Sequence, residues 1–341
     1  MATRGATVLK WDHWHIEVSS VCALQCPRCP RAEVPDSLLN RQLSLNFFQT
    51  QLGESVIKQI RKITFCGNDG DPIYCRDFSA ICAWIKSVNP SIELVIITNG
   101  SHRRPEWWQE LAGILTDQDS VHFSIDGWDN ASNNIYRQGS DFDSICNAIA
   151  VLQKHSTCYL VWAAIAFRFN ESQLGSMQDL ARNLGMHSFQ LTKSTKFGSK
   201  YPKAYGAADS LEPNDRSLVA TGHRFERTVI ALTDRKPPGL ELKMLFLQRS
   251  LQIAPYSGIC LIGNKGVFLN SQGEFYPCCW VANRYSHNQS WHNRFNLYQQ
   301  TFDQILQDSF WQTEFLQFDS LECRTKCTPE RLQDPAHTSE W

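Results

Sequence analysis

Residues 19–31 read SSVCALQCPRCPR and contain three cysteines, Cys22, Cys26 and Cys29, at the spacing C-x3-C-x2-C. They directly follow residues 14–18, WHIEV, a short run that predicts a buried strand. Thiolates are soft ligands that suit iron–sulfur sites, and three on one loop can hold three irons of a four-iron cluster. One iron then lacks a protein ligand, which is typical of a catalytic metal site rather than a structural one. A zinc knot completed by a fourth ligand elsewhere is the alternative that the triplet leaves open.

Composition limits the class of protein. The chain has 341 residues, enough for one large α/β domain and a smaller one. Lys+Arg total 33 and Asp+Glu total 34, a formal net charge of −1, so we expect no nucleic-acid partner. No apolar run reaches the roughly 18 residues that a membrane helix needs, and residues 1–10 lack the apolar core of a signal peptide. We therefore expect a cytoplasmic protein without a membrane partner, in which 13 cysteines indicate metal or redox chemistry rather than disulfides.

Strand patterns alternate with helical patterns between residue 14 and about residue 193. Six such units predict a parallel sheet with an α/β fold. Polar residues recur at the carboxyl ends of the predicted strands: the cysteine loop, Asp69, Asp71, Asn99, Ser124, Asp126 and Asn170. Active sites of βα barrels lie at this end of the strands, so the pattern predicts an enzyme.

Together these features resemble the radical S-adenosylmethionine (radical SAM) superfamily. The C-x3-C-x2-C loop is the signature of that family, and residues 67–72, GNDGDP, resemble its Gly-Gly-Glu-Pro motif. One departure is Arg28, because many members have an aromatic residue before the third cysteine; the form found here resembles a branch with a C-terminal cluster domain. The resemblance implies a partial (β/α)6 barrel whose [4Fe–4S] cluster, on Cys22, Cys26 and Cys29, binds S-adenosylmethionine at its open iron. Reductive cleavage of that cofactor gives a 5′-deoxyadenosyl radical, which abstracts a hydrogen atom from the substrate.

The resemblance also implies contacts with the cofactor. The glycine-rich motif would hold the methionyl amine, the polar strand ends would hold the ribose and the carboxylate, and the end of the fifth strand would border the adenine. The residues concerned are Gly67, Asp69, Asp71, Pro72, Asn99, Ser124, Asp126, Arg137 and Asn170. Cys66 ends the second predicted strand and is a candidate hydrogen-atom donor to a substrate radical, as radical SAM epimerases require.

A second set of cysteines lies in the C-terminal part of the chain. Cys260, Cys278, Cys323 and Cys327 resemble the ligands of a twitch/SPASM-type auxiliary-cluster domain, with Cys279 as an alternative to Cys278. Five cysteines are fewer than the full domain carries for two clusters, so one auxiliary [4Fe–4S] cluster with an electron-relay role is expected. Zinc is the alternative for four thiolates. The predicted divisions are a barrel over residues 12–193, a connector over 194–255 and an auxiliary domain over 256–330. The connector is either a solvated linker or a segment that covers the substrate.

Relatives with such domains modify ribosomally made peptides, mature sulfatases or dehydrogenate aminocyclitol sugars. We therefore predict a radical SAM oxidoreductase acting on a peptide or protein residue, with a flavodoxin or ferredoxin as electron donor. Dehydrogenation or epimerisation of a small molecule is the first alternative, and a non-enzymatic zinc or iron–sulfur protein is the second. Only 21 residues precede Cys22, fewer than a leader-peptide-binding domain needs, which disfavours a self-contained peptide modifier, although a separate leader-binding protein could serve. The oligomeric state stays open.

Overall fold

A computed structural model describes residues 12–33, 39–194, 197, 210–220, 226–238, 267–282 and 294–311. Its strands are β1 (His13–Ile16), β2 (Lys62–Phe65), β3 (Glu93–Thr98), β4 (Ser120–Ser124), β5 (Tyr159–Ile165), β6 (Ser188–Lys193), β7 (Glu226–Ala231), β8 (Val267–Leu269) and β9 (Phe275–Tyr276). Its α-helices are α1 (Pro30–Glu33), α2 (Leu45–Phe47), α3 (Gly53–Ile57), α4 (Phe78–Val88), α5 (Pro105–Ala112), α6 (Asn130–Tyr136), α7 (Phe142–His155), α8 (Leu174–Asn183), α9 (Cys279–Ala282) and α10 (Phe302–Gln307). None of the described helices is both long and apolar enough to cross a membrane.

These strands form one sheet in the order β7-β6-β5-β4-β3-β2-β1-β8-β9. β1 to β6 are all parallel and lie in their chain order, which places their carboxyl ends at the same edge. Each connection from β1 to β6 contains at least one helix. The predicted α/β class, with six parallel units building a partial barrel, is confirmed.

Two later segments extend this sheet. β7 pairs antiparallel with β6, whereas β8 pairs parallel with β1 and forms a hairpin with β9. The sequence of residues 267–279 predicts a strand, a turn at residues 271–273 and a second strand. The structure places the turn there, with Gly273 at φ 79°, a backbone conformation that favours glycine. The ring of Trp14 packs against Phe275 and Phe302, at centroid distances of 5.4 and 5.1 Å. The C-terminal segment thus covers the first strand, and the predicted domain boundaries stay predictions.

Side chains alternate between the two faces of the strands. On β1, Trp14 and Ile16 join the large hydrophobic core, which leaves His13 and His15 on the other face. We call the face that carries His13 and His15 the inner face. It is polar at the amino ends of the strands, where Lys62 and Glu93 form a buried ion pair of 2.5 Å. Such polar and charged side chains are more typical of a functional site than of a hydrophobic core.

Three helical segments differ from the sequence predictions. The apolar periodicity of residues 43–60 predicts one helix, but the structure divides this segment into α2, a π-helical turn and α3, with Gly53 at φ 71°. The sequence also predicts a helical stretch over residues 297–318, whereas the helix begins only at Phe302, where Thr301 and Gln304 form a capping box. Helix α6 was not predicted; its start depends on a capping box between Asp129 and Ser132 rather than on apolar periodicity.

Candidate active site

The three cysteines of the N-terminal motif lie together on the loop that connects β1 with α1. The amide of Cys29 donates to the carbonyl of Cys26 at 3.1 Å, which closes the second half of the loop. The sulfur of Cys22 accepts hydrogen bonds from the amide of Leu24 at 3.4 Å and from Nδ2 of Asn99 at 3.6 Å. Hydrogen bonds to sulfur are one of the means by which proteins tune iron–sulfur clusters.

Burial makes these thiols poor acids on their own. It raises the pKa of Cys22 to about 12, with the carboxylate of Asp71 adding to the effect. It raises the pKa of Cys26 to about 11, although the nearby Arg137 opposes the shift. Thiolates here therefore need positive charge beside them, which the irons of a cluster supply. Three cysteines on one loop fit a [4Fe–4S] cluster, which takes one thiolate per iron and leaves its fourth iron open.

The glycine-rich loop after β2 is held against the cysteine loop by Glu17. This carboxylate is 3% exposed, and its Oε1 accepts the amides of Asp69 at 2.6 Å and Gly70 at 3.1 Å. A Cβ at Gly70 would lie 1.9 Å from the carbonyl oxygen of Ser19, so only glycine fits there. The guanidinium of Arg31 adds hydrogen bonds to carbonyls on both loops, those of Ser20 and Asp69.

Asp71 connects the glycine-rich loop with the end of β3. Its carboxylate accepts the hydroxyl of Thr98 at 2.8 Å and both the amide and Nδ2 of Asn99 at 2.7 Å. Burial raises the pKa of Asp71 to about 6, and these hydrogen bonds limit the rise. Pro72 is buried in the 3-10 turn Pro72–Tyr74, which the Asp71 side chain caps. Asn99 therefore links Asp71 to the sulfur of Cys22.

A buried ion pair lies on the other side of the cysteine loop. Nε of Arg137 donates to Oδ2 of Asp126 at 2.6 Å, and the guanidinium also approaches the sulfur of Cys26. Burial alone would lower the pKa of Arg137, but attraction to Asp126 and Cys26 raises it. Arg137 follows α6 directly, so this unpredicted helix positions the charge.

The side chain of Asn170 connects the end of β5 with the residues that follow β4. Its Nδ2 donates to the carbonyls of Asp126 and Ile165, and its Oδ1 accepts the amide of Phe167. The side chain is 0% exposed, and both of its amide hydrogens are used. Asn170 thereby joins the ends of β4 and β5, and its contact with the cofactor stays a prediction. Contacts of the cofactor with the other predicted residues stay predictions.

The carboxyl-terminal half of the inner face is partly open. Residues of intermediate exposure on this face come from four consecutive segments: Cys66, Ile97, His122, Ser124, Ala163 and Ile165. Cys66 directly follows β2, and its sulfur lies 4.0 Å from Nδ1 of the buried His15. This cleft reaches the same end of the strands as the cysteine loop, so a molecule bound in it would lie close to that loop.

The C-terminal cysteines are described in part. Cys278 is half-buried, whereas Cys279 is 2% exposed and belongs to the hydrophobic core. Cys26, a predicted ligand of the first cluster, is buried as well, so burial does not decide between Cys278 and Cys279, and the choice stays a prediction. Cys260, Cys323 and Cys327 lie outside the described residues, so the predicted auxiliary site stays a prediction.

Sequence reasoning missed two residues of the site. Glu17 directly follows β1 and is the single acidic residue of residues 13–18, HWHIEV, a signal that could have found it. Tyr74, whose hydroxyl donates to Oδ1 of Asn99 at 3.2 Å, is not marked by any motif.

Two family models match the chain. The model of the radical SAM superfamily matches residues 16–166, and that of the SPASM iron–sulfur cluster-binding domain matches residues 260–328, together more than half of the chain. The chain belongs to the radical SAM superfamily. It is thus an enzyme that uses a [4Fe–4S] cluster and S-adenosylmethionine, and its SPASM domain implies auxiliary iron–sulfur chemistry. A search of curated protein sequences finds no significant match.

Solved structures share the fold of this radical SAM enzyme. SuiB of Streptococcus suis bound to its precursor peptide SuiA is 12% identical, with a TM-score of 0.58; the match covers 96% of this chain and 70% of that one. The enzyme anSMEcpe with bound AdoMet is 18% identical, with a TM-score of 0.56, and the match covers 94% and 84%. The same enzyme with AdoMet and the Cp18Cys peptide is 15% identical, with a TM-score of 0.53, covering 92% and 85%.

Proposed function

We propose that this radical SAM enzyme is an oxidoreductase that abstracts a hydrogen atom from a residue of a peptide or protein. The observation that carries the proposal is the partly open inner face, which ends at the cysteine loop. A substrate side chain entering this cleft would approach the cofactor while its backbone remains outside. Two of the similar structures contain a peptide, SuiB with its precursor peptide and anSMEcpe with the Cp18Cys peptide, which supports a peptide as the class of substrate.

The bound cofactors supply the radical chemistry, and the protein supplies position and a dry environment. Cys22, Cys26 and Cys29 would hold the cluster. The backbone of the glycine-rich loop would approach the methionyl end of S-adenosylmethionine, because glycine at position 70 lets this loop pack directly against Ser19 of the cysteine loop. Arg137 would face the cofactor's carboxylate with its remaining donors while Asp126 fixes its orientation.

Anaerobic reconstitution tests this proposal. Two [4Fe–4S] clusters correspond to about eight irons per chain. We expect 5′-deoxyadenosine on reduction with dithionite, and a mass decrease of two hydrogens or a new cross-link in a peptide encoded beside the enzyme. A Cys26→Ala variant is the control and should form no 5′-deoxyadenosine. Zinc-loaded protein without cleavage would refute the enzyme, and conversion of an aminocyclitol but of no peptide would refute the substrate class.

We propose Cys66 as a hydrogen-atom donor within the same cleft, which makes epimerisation the second candidate reaction. The thiol is partly exposed on the inner face, and His15 is its neighbour. The hydrogen atom would come from the exchangeable S–H bond; it would form the C–H bond of the product and leave a thiyl radical, which one electron from the enzyme's electron donor and one proton from solvent would return to the thiol. Turnover in deuterated water should therefore add one deuterium to the product. Cys66→Ala should lose this label, whereas Cys146→Ala removes a half-buried helical thiol and should not. An unchanged deuterium label in the product of the Cys66→Ala variant would refute the role of Cys66 as hydrogen-atom donor.

A further inference from the structure

Exposed arginines lie on three consecutive loops at the same end of the sheet as the cysteine loop. Arg41 lies on the connection from β1, Arg76 follows β2, and Arg104 follows β3; all three are exposed. Within the described parts of the chain, none of these guanidinium groups pairs with a carboxylate. The whole protein carries a net charge of −1, so these three arginines are a local concentration of positive charge and do not reflect a basic protein overall. We call these three residues the arginine surface.

Hydrogen bonds join the loops that carry the arginine surface. Nε2 of Gln42 donates to the carbonyl of Tyr74 at 3.3 Å, and its Oε1 accepts the amide of Arg76 at 2.9 Å. Nε of Arg103, the residue before Arg104, donates to the carbonyl of Ile73 at 2.6 Å. These bonds fix the three loops relative to one another, so the three arginines are anchored on one surface.

Acidic groups also lie near this surface. The carboxylate of Asp77 accepts the amide of Leu45 at 3.0 Å and is partly buried. Glu106 and Glu110 border a surface cavity of about 420 Å³ that Arg104 also lines. Neither Arg41 nor Arg76 lines this cavity.

Tyr74, between these loops, begins a short hydrogen-bonded path to the cluster site. Its hydroxyl donates to Oδ1 of Asn99 at 3.2 Å, and Nδ2 of Asn99 donates to the sulfur of Cys22 at 3.6 Å. Tyr74 is partly exposed, so two hydrogen bonds separate a surface residue from a cluster ligand.

We propose that the arginine surface docks an acidic protein that carries single low-potential electrons and delivers them to the cluster held by Cys22. In this step the donor is oxidised by one electron and the cluster is reduced by one electron, with no transfer of atoms. The inference rests on the proposed radical chemistry, which requires a reduced cluster. Complementary charge accelerates association of such partners and makes the rate depend on ionic strength.

The test compares two double variants of the reconstituted enzyme. Arg76→Glu/Arg104→Glu reverses charge on the surface, and Lys154→Glu/Lys236→Glu is the matched control. Lys154 lies in the last turn of α7, and Lys236 lies beyond β7; both are exposed at the amino ends of the parallel strands, away from the cysteine loop. Neither lysine pairs with a carboxylate in the described part of the chain.

Three measurements are made on each variant at low and high salt: cleavage of S-adenosylmethionine with reduced flavodoxin, the same cleavage with dithionite, and the affinity for oxidised flavodoxin. We expect the arginine variant to lose about tenfold in the flavodoxin-driven rate and in affinity at low salt. Its dithionite-driven rate should be unchanged, and the lysine control should match the wild type throughout. Flavodoxin-driven rates and affinity equal to the wild type would overturn the inference.

Other outcomes show whether the docking role or the proposed function is wrong. A loss with both reductants would mean that the surface binds an acidic substrate or supports the fold, and would overturn the docking role. If the wild type fails to cleave S-adenosylmethionine with dithionite, the proposed function fails, and the affinity for flavodoxin still decides whether this surface binds an acidic carrier.

Discussion

Replacing Glu17 would show how strongly one carboxylate holds the two loops of the site together. Glu17→Ala removes the acceptor of two buried amides, those of Asp69 and Gly70, at 2.6 and 3.1 Å. Each orphaned buried donor costs about 1–3 kcal/mol, so the variant should lose about 2–6 kcal/mol of unfolding free energy. Glu17→Gln keeps an acceptor oxygen at the same reach and loses only the charge assistance, which predicts a loss of about 1–2 kcal/mol.

The assay is urea unfolding of metal-free protein followed by far-UV circular dichroism, with binding of S-adenosylmethionine measured after reconstitution. The glycine-rich loop should move away from the cysteine loop in Glu17→Ala, so cofactor affinity should fall more in this variant than in Glu17→Gln. Equal stability of Glu17→Ala and wild type would refute the reasoning. Equal losses in both variants would show that charge, not the acceptor geometry, holds the loops.

The remaining predictions concern backbone space, buried charge and protonation. Gly70→Ala should lose about 1–3 kcal/mol, because its Cβ would meet the backbone of Ser19, whereas Gly175→Ala, with nothing within 4 Å, should be neutral or stabilising in the same urea assay. Arg137→Leu should cost about 3–5 kcal/mol in unfolding experiments because it leaves the carboxylate of Asp126 buried and unpaired; a loss below 1 kcal/mol would contradict this. Burial, together with Arg235, lowers the pKa of His187, so below about pH 6.5 the unfolded chain binds a proton that the native chain does not. Stability should therefore fall as the pH drops below that value, and His187→Asn should flatten this dependence in unfolding titrations.

The sequence predicted the features that local chemistry determines. The spacing of Cys22, Cys26 and Cys29 and the polar residues at strand ends need only a strand followed by a loop, which periodicity reveals. The same logic predicted the hairpin at Gly273, because its turn is specified by adjacent residues. These features could be predicted because about a dozen consecutive residues determine each of them.

Features that depend on contacts between residues far apart in the sequence could not be predicted. Glu17 acts on amides of a loop after the next strand, and nothing near it in the sequence indicates that partner. Helix α6 has little apolar periodicity and is stabilised by its capping box and by Asn133, whose Oδ1 accepts the amides of Asp126 and Gly127. The end of α2 as a π-helical turn likewise reflects packing rather than propensity.

The position of β8 beside β1 has a consequence for how the protein is made. During synthesis, the ribosome releases Trp14 and its strand long before Phe275 and Phe302, the rings that will shelter them. Until then one flank of the nascent sheet remains uncovered and open to incorrect pairing, and such long-range closure is slow. Expression of the barrel segment alone should consequently give an aggregation-prone product, and the two parts should mature as one cooperative unit.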